Sequence, residues 1–326
     1  MTSEISEVSK APARRSPPTE RVVRLLDFFV ANGGAGFGLS ELARELGLSK
    51  PTCLGIVTEL SAGGYLVRDP VHKTYRLGPG LIAAGRLAQD EFAAAALAGP
   101  RLAELSERYG TTCTASAVTG GQIVVLESAG PRGKTAVQVG QRYPFAPPVG
   151  LMYVLWGPDS GLTDWLAKPP ILPMSLDRKL LRRVVTECRA RGYLAESLTA
   201  AGQRLHKLMS GVAAYDLPDE LRELVGELVS SLGERVYLDA ELSPRGQLPV
   251  SLLAAPTFGA DGRQELVLTL YVGDTISGAE IARRGAALAA AANAVTEAAG
   301  GKKPEAWTGY SGGERGDARL DGFISS

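Results

Sequence analysis

Long apolar runs, paired cysteines and clustered histidines are all missing from this chain of 326 residues. No apolar run approaches the roughly 18 residues that a membrane-spanning helix needs, so no membrane partner is expected. The N-terminal segment carries charges and prolines instead of the apolar centre of a signal peptide. The three cysteines, Cys53, Cys113 and Cys188, form no C-x-x-C pair, and the only histidines are His72 and His206. These absences predict a protein of the reducing cytoplasm without a disulfide framework, a metal or a cofactor.

The residue constellations that catalysis needs are missing as well. The sequence contains no G-x-S-x-G motif, no P-loop and no dinucleotide-binding fingerprint. The glycines of "NGGAGFG" (Asn32–Gly38) follow a predicted helix instead of a strand, which is the wrong context for a phosphate-binding loop. We interpret the single thiols of Cys113 and Cys188 as core side chains. An enzyme is therefore not expected.

Net charge is also absent, because 35 Lys and Arg balance 35 Asp and Glu. The balance conceals an asymmetry: the segment from Lys10 to Asp90 holds 11 basic and 7 acidic residues, a difference of +4, and the remainder carries −4. A mildly basic segment is compatible with a polyanionic partner, and a solvated surface explains it about as well.

The chain begins with a polar segment, residues 1–19, which is expected to be disordered. Three predicted helices follow it. The helical pattern begins at Glu20, Ser40 and Ser49 are candidate N-caps, and Gly47 supplies a tight turn. Each helix has one apolar stripe at helical spacing. The stripes are Val22, Leu25, Leu26 and Phe29; Leu39, Leu42, Ala43 and Leu46; and Cys53, Ile56, Val57 and Leu60.

A predicted hairpin follows the third helix directly. The runs "YLVRD" and "TYRLG" flank the turn "PVHK" (Pro70–Lys73), and three helices with such a hairpin predict a winged helix-turn-helix. The outward side of the third helix carries small or basic groups with nothing bulky at its centre, which is typical of a helix that enters the major groove. The candidate DNA-binding residues are Arg44, Ser49, Lys50, Thr52, Gly55, Thr58, His72, Lys73 and Arg76.

The remainder of the chain predicts an α+β domain, because strand-like runs occur together with flanking helices. A helical segment, Gly78–Gly110, comes first; it is punctuated by Gly99–Pro100, and its apolar face is either domain core or a dimer seam. The predicted helices are Asp177–Gly192, Pro218–Gly233 and Gly278–Ala299. The predicted strands are "TCTASAV", "QIVVLESAG", "TAVQVG" and a final pair, "PVSLLAAPTF" and "QELVLTLYVG", joined by the turn "GADG".

The stretch "LSELARELGLSKPTCLGIVTELSAGGYLVRD", followed by "TYRLGPGL", resembles the winged helix-turn-helix of the IclR family of bacterial transcription regulators. The elements after Gly110 are similar in order to the GAF-like effector-binding domain of that family. The resemblance implies an α+β protein with an N-terminal winged helix-turn-helix and a C-terminal GAF-like domain. The implied division is a disordered arm (1–19), a DNA-binding domain (20–78), a linker or dimerisation helix (79–110), an effector-binding domain (111–299) and a disordered tail (300–326). An extra segment near 197–234, which typical members lack, could form a lid, a dimer surface or a mere decoration.

Gly55 stands where the family often has an arginine, which changes the expected operator sequence more than DNA binding itself.

The resemblance also places an effector site, since "VGQRYPFAPPVGLMYVLW" stands where the family leads into a pocket-lining helix, and "LLAAPTFGADG" resembles a hairpin of its domain. The implied effector-binding residues are Pro148, Val149, Met152, Leu252, Thr269 and Tyr271. They offer few donors to a carboxylate, and burial of an unpaired charge is costly, so a largely apolar or aromatic effector is predicted. A plain core role for Leu252 and Tyr271 stays equally open.

Taken together, these features predict a cytoplasmic, ligand-responsive transcription regulator, acting as a repressor or an activator. Its partners would be a small-molecule effector and a double-stranded DNA operator of pseudo-palindromic sequence, which a homodimer or a dimer of dimers would bind. The alternative is a ligand-binding protein-interaction module with a degenerate helix-turn-helix that does not bind DNA specifically.

Overall fold

The computed structural model describes residues 16–32, 35–131, 137–171, 175–197 and 236–304. The chain divides into two compact units, Met1–Glu91 and Phe92–Ser326. The boundary between them along the chain falls inside the predicted linker. Most of the predicted N-terminal arm, the helix Pro218–Gly233 and most of the predicted C-terminal tail lie outside the described residues. Among the described helices, none is both long and apolar enough to cross a membrane.

The described residues of the first unit form four helices and a small antiparallel sheet in the order β1-β3-β2. Its elements are α1 (Pro17–Ala31), β1 (Phe37–Gly38), α2 (Leu39–Glu45), α3 (Lys50–Ala62), β2 (Leu66–Arg68), β3 (Thr74–Leu77) and α4 (Gly80–Glu91). The predicted apolar stripes form its core: Leu25, Phe29, Leu42, Cys53 and Val57 have no exposed surface. The helix-helix-hairpin order predicted from the sequence is thereby confirmed.

Two local expectations for this unit are wrong, and a third is incomplete. The first helix begins at Pro17 and not at Glu20, because proline in the first turn has no N–H group that the helix would need. Ser40 is not an N-cap, since α2 already begins at Leu39, and Gly38 donates its backbone N–H to the Glu41 carboxylate over 3.4 Å. The end of the glycine-rich stretch, which was predicted only to break the helix, also contributes β1 to the sheet.

The second unit is built on a six-stranded antiparallel sheet in the order β6-β5-β4-β9-β8-β7. Its strands are β4 (Cys113–Thr119), β5 (Gln122–Ala129), β6 (Arg142–Pro144), β7 (Leu194–Glu196), β8 (Gln247–Phe258) and β9 (Gln264–Ser277). Among its described residues, the helices are α5 (Ala93–Tyr109), α6 (Asp159–Leu166), α7 (Arg178–Arg191) and α8 (Gly278–Ala298), with short 3-10 turns at Leu151–Tyr153 and Asp239–Glu241. This arrangement confirms the α+β class.

Helices cover both faces of this sheet, because the central strands alternate apolar side chains between two cores. Leu253 and Leu268 face α5 and α8, where they pack with Leu102 and Leu288. The adjacent positions face the opposite way, toward a second core that α6, α7 and the turn Leu151–Tyr153 complete. We refer to this second side as the α7 face of the sheet.

Three expectations for this unit also need correction. The helical segment after Gly78 is interrupted at Phe92, whereas α5 runs through Gly99–Pro100. Pro100 and Ala96, whose carbonyl loses a partner, are both exposed, so water can satisfy that carbonyl. The described part of "TAVQVG", residues 137–140, forms no strand and turns at Gly140, whose φ is +85°. The expected pocket-lining helix after Val149 is only the 3-10 turn Leu151–Tyr153.

Candidate DNA interface and candidate effector site

The third helix begins with a complete N-terminal cap. The Ser49 hydroxyl accepts a hydrogen bond from the backbone N–H of Thr52 over 3.3 Å, and it lies 2.8 Å from the Thr52 hydroxyl. The cap satisfies one of the amide groups that every helix leaves unpaired at its start. It therefore stabilises the first turn of α3, which contains the exposed Lys50.

The outward side of α3 carries Lys50, Gly55 and Thr58 as exposed residues, while Thr52 is half-buried. No described atom beyond its own helix turn lies within 4 Å of the position that a Cβ at Gly55 would occupy. The expectation that this side lacks bulky groups is wrong at one position, since Leu54 is 47% exposed. The amphipathic pattern identifies the buried stripe but does not single out the leucine on the other side of the helix.

The wing turn is held by Asp69. Its carboxylate accepts hydrogen bonds from the backbone N–H groups of His72 (3.0 Å) and Val71 (2.8 Å), and it lies 3.2 Å from Nδ1 of His72. These bonds stabilise the ionised carboxylate and lower the pKa of Asp69 from 3.8 to about 2. Lys73 completes the turn in the left-handed region, with φ of +55°. The turn thus presents Val71, His72 and Lys73 to solvent.

The cationic candidates differ in their availability for a phosphate. Arg44 is paired with Glu45 at 2.9 Å, and His72 is paired with Asp69. Lys50, Lys73 and Arg76 are exposed, and within the described residues none of the three forms an ion pair. That these three cations are free to bind a phosphate follows from the fold and could not be predicted from the composition.

In the second unit, Leu252, Thr269 and Tyr271 lie on the α7 face of the sheet. Leu252 pairs with Tyr271 across β8 and β9, and Ala254 pairs with Thr269, so all of these side chains point to one side. Leu252 and Thr269 are buried, whereas Tyr271 is half-buried. The shared face inferred from strand alternation is confirmed; a role in effector binding stays a prediction.

Four hydroxyl-bearing residues that the sequence analysis missed lie on the same face. Thr114 pairs with Thr269 across β4 and β9, and its side chain is hydrogen-bonded to that of Tyr271. The Tyr153 hydroxyl lies 2.6 Å from that of Ser116, which also donates to the carbonyl of Val267 over 3.4 Å. We call Thr114, Ser116, Tyr143, Tyr153, Thr269 and Tyr271 the hydroxyl cluster. Hydroxyl residues at every second position of "TCTASAV" were the available signal.

The phenols of the hydroxyl cluster are protonated at neutral pH. Burial raises the pKa of Tyr271 to about 12, although the hydrogen bond with Thr114 opposes the shift. Burial likewise raises the pKa of Tyr153 and of Tyr143. The cluster therefore offers neutral donors and acceptors and no formal charge.

The remaining predicted effector residues lie in the loop before the 3-10 turn (Pro148 and Val149) and in the turn itself (Met152). Val149 packs against the group formed by Ile123, Val125, Val137 and Tyr143, which Tyr153 and Tyr271 also contact. Met152 packs against the core of the α7 face, and its carbonyl accepts a hydrogen bond from Gln264 over 2.7 Å. Pro148 is half-buried and follows Pro147 through a cis peptide bond. Val149 and Met152 thus adjoin the hydroxyl cluster.

Comparisons with known proteins identify the first unit. The family described as the IclR helix-turn-helix domain matches residues 18–70. The HTH-type transcriptional regulator XynR of Escherichia coli (strain K12) is 27% identical over 236 residues, covering 69% of this chain and 89% of that protein. The glycerol operon regulatory protein of Streptomyces griseus is 38% identical over 73 residues, which are 22% of this chain and 28% of that protein.

Solved structures share the fold. An IclR transcriptional regulator from Alicyclobacillus acidocaldarius is 22% identical, with coverage of 88% of this chain and 100% of that one and a TM-score of 0.55. The Thermotoga maritima IclR is 17% identical, with coverage of 86% and 98% and a TM-score of 0.56. An IclR homologue from Microbacterium hydrocarbonoxydans, complexed with 4-hydroxybenzoate, is 19% identical, with coverage of 86% and 98% and a TM-score of 0.54. The predicted fold class is confirmed by these likenesses.

Proposed function

We propose that this chain, an IclR-family transcription regulator, binds a pseudo-palindromic DNA operator as a homodimer. We further propose that it responds to a small, largely apolar or aromatic effector. The observation that carries the proposal is the set of exposed cations Lys50, Lys73 and Arg76, which flank a capped helix and a wing and make no ion pair within the described residues. We assign residues 20–78 to DNA binding, the part of the predicted linker before Phe92, which holds α4, to dimerisation, and the second unit, whose core includes α5, to effector binding.

The DNA-binding residues divide into two roles. Lys73 and Arg76, on the wing, would meet phosphates, which adds affinity for any sequence through counterion release. Lys50 and Thr52, in the first turn of α3, would lie nearer the base edges and contribute to discrimination between sequences. The other candidates support these contacts: Ser49 caps the helix, Gly55 and Thr58 lie along its exposed side, and Arg44 and His72 flank it.

Fluorescence anisotropy on operator duplexes at several salt concentrations tests the DNA half. Lys73→Ala and Arg76→Ala should each weaken binding to all sequences and reduce the salt slope by about one unit. Arg101→Ala is the matched control, because Arg101 forms an exposed ion pair with Glu104 in α5. If the anisotropy of no duplex changes on addition of the protein at low salt, the alternative, a protein-docking module, is favoured instead.

The proposed effector class follows from the hydroxyl cluster. Its phenol and threonine hydroxyls can orient a hydroxyl or carbonyl group on a ligand, while Leu252 and Val149 offer apolar surface. The homologue complexed with 4-hydroxybenzoate holds a ligand with an aromatic ring, a hydroxyl and a carboxylate. In this chain the cluster suits the ring and the hydroxyl, whereas the described residues of the cluster contain no cation to pair with a carboxylate.

Titration of candidate effectors against the operator complex tests this class. Uncharged aromatic or alicyclic compounds should change the DNA affinity by an amount in the usual allosteric range of about 1–3 kcal/mol. Tyr271→Phe and Thr269→Val should reduce the response, because each removes a hydroxyl and keeps the shape of its side chain. A strong response to glyoxylate or pyruvate that survives both substitutions would refute the assigned site.

We assign dimerisation to the linker, and within the linker to the helix α4. Every described side chain from Ile82 to Gln89 in this helix is exposed, including Ile82 (55%) and Leu87 (70%). A helix of this length is marginal in water on its own, so a partner surface would stabilise it. Sedimentation of Leu87→Glu should show dissociation toward monomer, while Arg86→Glu, beside it on the helix, should leave the assembly intact; equal behaviour of the two would exclude α4 from the seam.

A further inference from the structure

We propose that Leu54 is a specificity-determining residue that recognises the 5-methyl group of a thymine in the major groove. The inference rests on the proposed DNA-binding function and goes further, because it names the base that one side chain reads. Leu54 is 47% exposed, although it lies in the middle of α3, between the fully buried Cys53 and Val57. The packing of the first unit therefore leaves this large apolar side chain largely outside its core.

The position of Leu54 on the helix places it beside the groups assigned to DNA. At 3.6 residues per turn, Leu54 lies one turn after Lys50 and one turn before Thr58, on the same side of α3. Both of these neighbours are exposed. Leu54 thus belongs to the strip of α3 that would face the base edges.

Gly55 lies beside this strip and adds no side chain to the exposed side of α3. Its Cβ would meet no described atom within 4 Å outside the local helix, so the packing of the fold does not require glycine here. Glycine also disfavours a helix interior relative to alanine. A helix that approaches the bases closely explains both facts, and the same approach brings the Leu54 side chain within reach of the groove floor.

The chemistry of the groove selects one partner for Leu54. A leucine neither donates nor accepts hydrogen bonds, and it cannot pair with a phosphate. The major-groove edges of the four base pairs present donors and acceptors, and the one apolar group among them is the thymine 5-methyl. A contact between the isobutyl group and this methyl buries apolar surface on both sides without leaving a polar group unpaired.

The test removes the methyl group from the DNA and the side chain from the protein. Duplexes that bind the wild-type chain are selected from a random-sequence pool, and each thymine is replaced in turn by deoxyuridine, which lacks only the 5-methyl group. At one thymine in each half-site, the wild-type chain should bind about fourfold more weakly after replacement, the factor expected for one buried methyl group. Leu54→Ala should bind the two duplexes equally, whereas Leu54→Met should keep the preference.

Leu97→Ala is the control variant, since Leu97 is also exposed (40%) but belongs to α5. It should keep the wild-type preference for thymine. The inference is overturned if the wild-type chain binds every deoxyuridine duplex as tightly as its thymine counterpart, or if Leu54→Ala retains the preference. If the wild-type chain selects no duplex at all, the proposed DNA-binding function fails and the inference fails with it, so the two failures are distinguishable.

Discussion

The hydroxyl oxygens of Tyr153 and Ser116 lie 2.6 Å apart on the α7 face of the central sheet. One residue comes from a loop and the other from β4, so this hydrogen bond joins the 3-10 turn Leu151–Tyr153 to the strands beneath it. Because Val149 and Met152 lie in the same loop, the bond positions the predicted effector residues relative to Thr269 and Tyr271. It is a polar bond between largely buried groups, and its loss is measurable.

Tyr153→Phe should therefore lower the free energy of unfolding by about 1 kcal/mol, the usual net value of one hydrogen bond. Ser116→Ala should cost a similar amount, and the double variant should cost less than the sum, because both changes remove the same bond. Urea denaturation of the three variants and the wild-type chain gives these values. Strict additivity would show that the two hydroxyls do not interact.

The Asp69 carboxyl should titrate near pH 2 and not near its ordinary pKa of 3.8, because the backbone N–H groups of His72 and Val71 stabilise its ionised form. Since the folded-state pKa is lowered, the stabilisation is complete above about pH 4 and is lost as the pH falls through about 2. The carboxyl carbon shift in an NMR pH titration measures this directly.

Asp69→Ala provides the matching control for the wing turn. It should increase the exchange rate of the Val71 and His72 amides, which lose their acceptor. Leu66, in the core of the same unit, should keep its protection. A wild-type Asp69 that titrates at its ordinary pKa would contradict this account of the turn.

Arg189 should be far more important for stability than the exposed arginines. It is 5% exposed, and its guanidinium donates to the carbonyls of Leu155 (2.7 Å) and Gly157 (2.8 Å) and to the Asp159 carboxylate (3.1 Å). Arg189→Ala leaves these acceptors without their donor, so the free energy of unfolding should fall by about 3 kcal/mol. Arg101→Ala, at an exposed pair, should change it by less than about 1 kcal/mol. Thermal and urea unfolding compare the two, and equal effects would refute the assigned role.

Two helical glycines should respond oppositely to alanine. A Cβ at Gly285, in α8, would overlap the buried ring of Tyr193, so Gly285→Ala should destabilise the second unit by about 1–3 kcal/mol. A Cβ at Gly55 meets open space, so Gly55→Ala should leave stability unchanged or raise it by up to about 1 kcal/mol. The midpoints of urea unfolding measure both changes. If Gly285→Ala were more stable than the wild-type chain, the Tyr193 ring would have moved aside without a measurable cost.

The amino-acid pattern was sufficient to predict those elements whose interacting residues are close together in the chain. The stripe that includes Cys53 and Val57 predicted α3 and its buried side, since helical spacing alone places those residues together. Strand alternation likewise put Thr269 and Tyr271 on one face, and the turn "GADG" (Gly259–Gly262) predicted the hairpin of β8 and β9. In each case the residues that interact lie within one helix, one strand or one hairpin.

Features that depend on partners distant in the chain follow from the packing of the folded protein. Phe37 and Gly38 form a strand because β3 offers them hydrogen bonds, and nothing in their own sequence predicts it. Ser116 meets Tyr153 because the loop before α6 returns to the sheet, a contact between residues 37 positions apart. The exposed fraction of Leu54, 47%, also depends on which side of α3 the core of the first unit covers. Periodicity reports which side chains can be buried together, but the space available in the packed core decides which of them are.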